Sequence, residues 1–213
     1  MKKREIKLCE DNFAWDDLVN KSVQGSPFLF SSFIRDAFPE HKKIGLYEND
    51  RLVAGVSLKF NKGGLVSLEL PKFVTYQGLI LRKENNLQAH QEITRNLDLS
   101  SYFLNALHKK YEHFILNNSW RLKDCRAFSW YHYNDQTAEK FSLSLKYTGI
   151  IDLLKFSSFE EYLKTIRQLR RREYRKAHSN NLKIFKITRV AELLDLLKRT
   201  YQRQNIVLSD NDQ

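Results

Sequence analysis

The sequence predicts an α/β chain of the α+β kind: a mixed, largely antiparallel sheet flanked by helices in residues 1–146, followed by the incomplete start of a second such unit in 147–213. Three observations carry this. Short apolar runs joined by Asn49-Asp50 and by Lys62-Gly63-Gly64 read as an antiparallel meander. Long stretches around 13–38 and 87–116 place apolar residues at helical spacing. The order strand, helix pair, strand occurs twice, and two occurrences suggest a structural repeat without sequence identity. The second occurrence has too few residues to complete a sheet, so the chain reads as a truncated one. With 213 residues, 42% hydrophobic and only 7 Gly and 3 Pro, disordered and collagen-like classes are excluded.

The first strand spans 5–10. Asn12 is the expected N-cap of a helix over 13–23, Gln24-Gly25-Ser26-Pro27 breaks the chain, and Ser31 or Ser32 caps a helix over 31–38. Strands follow at 43–48, 52–60 and 65–70, then a loop over 72–77 and a strand over 78–82. The long helix at 87–116 shows its period in Leu99, Phe103, Ala106 and Leu107. Arg126–Tyr133 reads as a strand and Leu143–Leu145 as the closing one. In the second unit, strands are expected at 148–154 and 182–188 and a helix at 190–204. Ser158, with Glu161 at the capping-box position, starts a helix over 159–178 that is expected to break near Arg170.

The 36 Lys and Arg against 25 Asp and Glu give a net charge of +11, which favours anionic partners. The excess is concentrated. Between Lys164 and Lys176 there are seven cations and one acid, Glu173, so this one segment accounts for the whole surplus of the second unit. On a helix, at about 100° per residue, Arg167, Arg171 and Arg175 share the cationic side with Lys164, Arg172 and Lys176. Arg170 and Glu173 fall in the apolar arc and should pair with each other at the core rim. The row is either a solvated basic face or a set of guanidinium forks that bind phosphate or carboxylate groups.

Other patterns exclude more than they offer. Cys9 and Cys125 form no C-x-x-C pair and read as two small buried side chains. His90, His108 and His113 do not make H-E-x-x-H, so no metal site is expected. Neither a Gly-rich nucleotide loop nor G-x-S-x-G is present. Trp130-Tyr131-His132-Tyr133 on a strand suits cross-strand packing or base stacking. No apolar run is long enough for a membrane span and no signal-peptide stretch follows the start, so the chain reads as cytoplasmic.

Three strings carry a family resemblance: Tyr147-Thr-Gly-Ile-Ile-Asp-Leu-Leu, then Phe159-Glu-Glu-Tyr-Leu-Lys, then Arg171-Arg-Glu-Tyr-Arg-Lys-Ala with Asn181-Leu-Lys-Ile. Upstream, Trp15, Gly25-Ser-Pro-Phe-Leu-Phe, Ile44-Gly-Leu-Tyr-Glu-Asn-Asp-Arg and Leu70-Pro-Lys-Phe-Val-Thr-Tyr-Gln-Gly agree with them. The sequence resembles the FemAB-type transferases, tandem acyltransferases of the GNAT superfamily. The resemblance implies two GNAT-like halves and transfer of an acyl or aminoacyl group to an amine acceptor such as a cell-wall precursor. It implies no tightly bound cofactor, with aminoacyl-tRNA or acyl-CoA as donor and an anionic precursor, and tRNA, as partners. A binder of RNA or another polyanion that uses segment 164–176 without chemistry is the alternative. By similarity, Arg167, Arg171 and Arg175 serve substrate binding, Tyr174 stands beside them, and Arg35, Tyr76 and Gln77 lie near the cleft. Phe33 stands where the family often has Trp, and the [QR]-x-x-G-x-[GA] pyrophosphate loop is lacking. No residue takes a catalytic role.

Overall fold

The computed structural model describes residues 3–69, 74–184, 186 and 190–206. The chain divides into two units, Met1–Lys146 and Tyr147–Gln213. In the first, β1 (Arg4–Leu8) leads into α1 (Asn12–Lys21). The N-cap is Asp11, one residue earlier than expected, because its carboxylate accepts from the Phe13 and Ala14 N–H groups. The Gly-Ser-Pro break resolves into a 3-10 turn at Pro27–Leu29, after which α2 (Ser31–Ala37) begins. β2 (His41–Glu48) and β3 (Arg51–Lys59) form a hairpin over Asn49 and Asp50, whose φ values of 49° and 65° are those of a tight two-residue turn. β4 (Ile80–Leu81), α3 (Ala89–Lys110) and the short α4 (Arg126–Ser129) complete the unit. The sheet runs β1-β2-β3-β4 and is antiparallel throughout.

β3 is buried on both faces, and each face has its own partner. On one side Ala54, Val56 and Leu58, with Ile44 and Leu46 of β2, pack against Leu99, Phe103, Leu104 and Leu107 of α3. On the other, Trp15, Leu18 and Val19 of α1 join Leu29, Ile34, Leu52 and Ile80. Trp15 is fully buried, and its indole N–H donates to the Leu29 carbonyl at 2.6 Å. It lies so close to β3 that a Cβ on Gly55 would come within 2.6 Å of its ring. At the rim, buried Glu48 accepts from Arg4 at 3.0 Å and from Arg95 of α3 at 3.1 Å. The N–H groups that β4 does not give to β3 go to side chains: Leu79 donates to Asn118 Oδ1 at 2.9 Å and Leu81 to Gln24 Oε1 at 3.3 Å.

The second unit holds α5 (Phe159–Thr165), α6 (Gln168–Ser179) and α7 (Val190–Gln202). Ser158 caps α5 as expected, its hydroxyl accepting from the Glu161 N–H at 3.2 Å. Every described residue of this unit is at least partly exposed. Arg170 and Glu173 do pair, at 2.7 Å, but in solvent and not at a core rim.

Several expected strands are not strands. Arg126–Tyr133 is α4 followed by turns, and His132 takes φ +51°, which no strand allows. Residues 143–145 and 148–154 form no ladder, and 153–155 make a 3-10 turn. Within 65–69 the sole pairing is the Phe60–Val66 bridge; residue 70 lies outside the described residues. Of 182–188, the described residues are irregular and 185, 187 and 188 lie outside the description. The helix over 159–178 breaks at Ile166-Arg167, not near Arg170. Cys9 is buried, whereas Cys125 is exposed. No helix among the described residues is long and apolar enough to cross a membrane.

Two outcomes follow from this packing. Gly55→Ala forces Trp15 off β3, an overpacking that costs about 1–3 kcal/mol and lowers Tm by several degrees in a calorimetric scan. His41 is buried against Phe38, its Nδ1 is 3.2 Å from the Ser57 hydroxyl, and its Nε2 has no partner. Burial lowers its pKa from 6.5 to about 4. Between these values the unfolded chain holds more protons than the native one, so stability falls as pH falls through that window. Denaturant titrations of His41→Gln should show a smaller loss over the same interval; parallel curves would mean His41 titrates as in the unfolded chain.

Candidate functional site

The cationic residues of the second unit are arranged around the start of α6. Arg167 is the N-cap, yet its side chain makes no capping bond and the first turn carries no acid. A helix N-terminus is the positive end of the macrodipole and normally attracts carboxylates. α5 obeys that rule with Glu160 and Glu161 in its first turn. α6 inverts it, setting Arg167, Arg170 and Arg171 at the positive end. An anion placed there would meet unsatisfied N–H groups and guanidinium donors together.

Arg171 is the least solvated of the row. It is half-buried, and its Nε is enclosed with no hydrogen-bond partner. Its backbone N–H donates to the Arg167 carbonyl at 3.2 Å, so the two residues lie one turn apart, and Arg175 follows one turn later. Arg167 and Arg175 are exposed, as are Lys164, Arg172 and Lys176. Tyr174 is exposed, with its ring edge-on to Phe159 at 5.3 Å and 6.3 Å from His178.

The first-unit candidates are set apart from one another. Gln77 is buried; its Nε2 donates to the Phe28 carbonyl at 3.2 Å, and its Oε1 has no partner. Tyr76 is half-buried, and its carbonyl accepts from the Ser26 hydroxyl at 2.7 Å. This segment therefore ties the α1–α2 connection to the approach to β4. Arg35 is exposed and is held by its neighbour Asp36 at 2.7 Å, with no bond to Tyr76 or Gln77. The Arg35 guanidinium pKa is raised by that hydrogen bond and the Asp36 pKa is lowered by it. No group of three or more His, Cys, Asp or Glu able to hold a metal ion occurs among the described residues.

Sequence reasoning missed a second polar cluster. Gln24, Asn96 and Ser100 line a cavity of about 300 Å³ in the first unit. Gln24 opens the Gln24-Gly25-Ser26-Pro27 break and Asn96 and Ser100 lie one turn apart on α3, so only the fold brings the three to one cavity. No family model matches the chain, and neither a curated protein nor a solved structure matches it.

Two substitutions separate anion binding from structure. Arg171→Ala with Arg175→Ala should weaken binding of inorganic phosphate, followed by NMR titration, about tenfold, the scale of a lost charge-assisted pair. Tm should barely move, because surface changes stay within about 0.5 kcal/mol. Arg167→Asp supplies the missing cap and should raise stability by about 0.5–2 kcal/mol while weakening phosphate binding. A large fall in Tm in the double variant would show that these arginines are structural.

Proposed function

We propose that the chain serves an N-acyltransferase of FemAB-like type, in which the α6 arginines bind phosphate or carboxylate groups of the acceptor or of tRNA. The observation that carries this reading is the enclosed, unpartnered Nε of Arg171 beside an uncapped helix start. A donor so placed is completed by a ligand oxyanion, and a guanidinium fork suits a two-oxygen partner. The element order of the first unit, with two helices between β1 and β2 and a long helix after β4, is the kind of arrangement a GNAT-like half would have.

In such a reaction a substrate amine attacks an activated acyl carbonyl, the amide forms as the ester bond to tRNA or the thioester bond to CoA breaks, and the amine proton leaves with the departing hydroxyl or thiol; the rate comes from orientation and from stabilising the developing oxyanion. Arg171, with Arg167 and Arg175, would fix the anionic end of a substrate. Arg35 would have to leave Asp36 before it could meet a substrate.

A second reading, binding of RNA or another polyanion without chemistry, draws on the exposure of five other cations of the row. One assay separates the two. Transfer of a labelled amino acid from aminoacyl-tRNA to the amine of a cell-wall precursor, reduced about tenfold in Arg171→Ala with Arg175→Ala, supports the transferase. Absence of transfer, together with tRNA affinity that falls about 10³–10⁵-fold between 50 and 200 mM salt, supports the polyanion binder.

A further inference from the structure

The cavity of about 300 Å³ beside β4 is walled by four stretches of the chain: residues 23 and 24 after α1, residues 81–83, the first turns of α3, and residues 121–124. Three polar side chains, Gln24, Asn96 and Ser100, stand on its wall. Gln24 is buried, and its carbonyl oxygen accepts from the Leu81 N–H at 3.3 Å and the Ser22 hydroxyl at 3.0 Å. These bonds fix the amide oxygen, and the Nε2 makes no hydrogen bond to a described residue. Ser100 is 3% exposed, and its hydroxyl bonds to no described residue. Asn96, one turn earlier on α3, has no side-chain bond to a described residue either. Gln24 and Ser100 are buried and Asn96 is half-buried, and polar groups gathered on one cavity wall are what orient a ligand in a pocket.

The charges around this cluster are one-sided. Lys83, Arg121 and Lys123 line the cavity and form no ion pair with a described carboxylate; Arg121 lies over the Trp120 ring at 5.1 Å. Of the other charged groups on the wall, Arg82 is taken by Asp17 at 2.7 Å and Asp124 by Arg126 at 2.6 Å. Glu92 is the one carboxylate left uncommitted. Three exposed cations therefore outnumber the one free acid on the wall, while Val23, Ile93 and Leu122 supply an apolar side. A partly enclosed site with convergent donors and an apolar wall is the usual form of a small-molecule pocket.

We propose that this cavity binds a small organic oxyanion, a carboxylate or phosphate joined to a short aliphatic group. The oxyanion takes the ammonium and guanidinium groups of Lys83, Arg121 and Lys123 and the free amide N–H of Gln24. Ser100 and Asn96 hydrogen-bond the linking atoms, and the aliphatic part lies on Ile93 and Val23. The site is independent of the α6 arginines.

Butyl phosphate, hexanoate and inorganic phosphate, titrated separately into the ¹⁵N-labelled 213-residue chain, test the assignment. The expected result is saturable shifts at Gln24, Asn96, Ser100 and Lys123, with an aliphatic probe binding about tenfold more tightly than inorganic phosphate. The tighter of the two aliphatic probes identifies the head group. Arg121→Ala with Lys123→Ala should weaken binding about tenfold and flatten its salt dependence, and Ser100→Ala should weaken it without changing that dependence. Arg171→Ala with Arg175→Ala should leave it untouched. Linear shifts that never saturate, or shifts that persist unchanged in all the cavity variants, would overturn the proposal.

Discussion

Trp15 can lie against the central strand only because residue 55 has no side chain. Much of the first unit depends on that contact. The indole fixes α1 on one face of β3, and its N–H holds the Leu29 carbonyl, which sets the course of the α1–α2 connection. That connection in turn receives the Gln77 amide at Phe28 and the Tyr76 carbonyl at Ser26. With α1 fixed on one face and α3 on the other, the ends of both helices meet beside β4. The polar cavity is the space left between them.

The two units handle positive charge in opposite ways. In the first, guanidinium groups are mostly committed: Arg4 and Arg95 to Glu48, Arg51 to Glu84, Arg82 to Asp17, Arg126 to Asp124. The pairs with a buried member, those of Glu48 and of Arg82, hold elements in register, and leaving that member unpaired would be costly. In the second unit, Arg170 pairs with Glu173 and Arg199 with Asp195, and no ion pair joins Arg167, Arg171 or Arg175 to a described carboxylate. Cations set at the positive end of a helix are electrostatically uphill, and binding an anion removes that cost.

The sequence was most legible where local chemistry decided the outcome. Asn49-Asp50 accepts positive φ, so the hairpin could be placed from two residues, and Ser158 with Glu161 marked the start of α5. It was least legible where apolar content misled. Trp130-Tyr131-His132-Tyr133 has the composition of a strand, yet Tyr131 is buried against Phe141 by a turn that sends His132 into the left-handed region. The break at Ile166-Arg167 contains neither Gly nor Pro, so nothing announced it, and it divided the single helix on which the arginine row had been sorted. The Arg170–Glu173 pair and the shared face of Arg171 and Arg175 survived, because both lie within α6. Gln24, Asn96 and Ser100 left no trace in sequence because their meeting is a property of tertiary packing alone.

The way β4 ends has a consequence for how copies of this chain behave beside one another. A two-residue outer strand would ordinarily offer bare amide donors to any passing extended segment, the first step of strand addition and of fibril growth. Here the side-chain carbonyls of Asn118 and Gln24 already occupy the N–H groups of Leu79 and Leu81, so at the β4 edge these two donors are withheld from a neighbour's backbone.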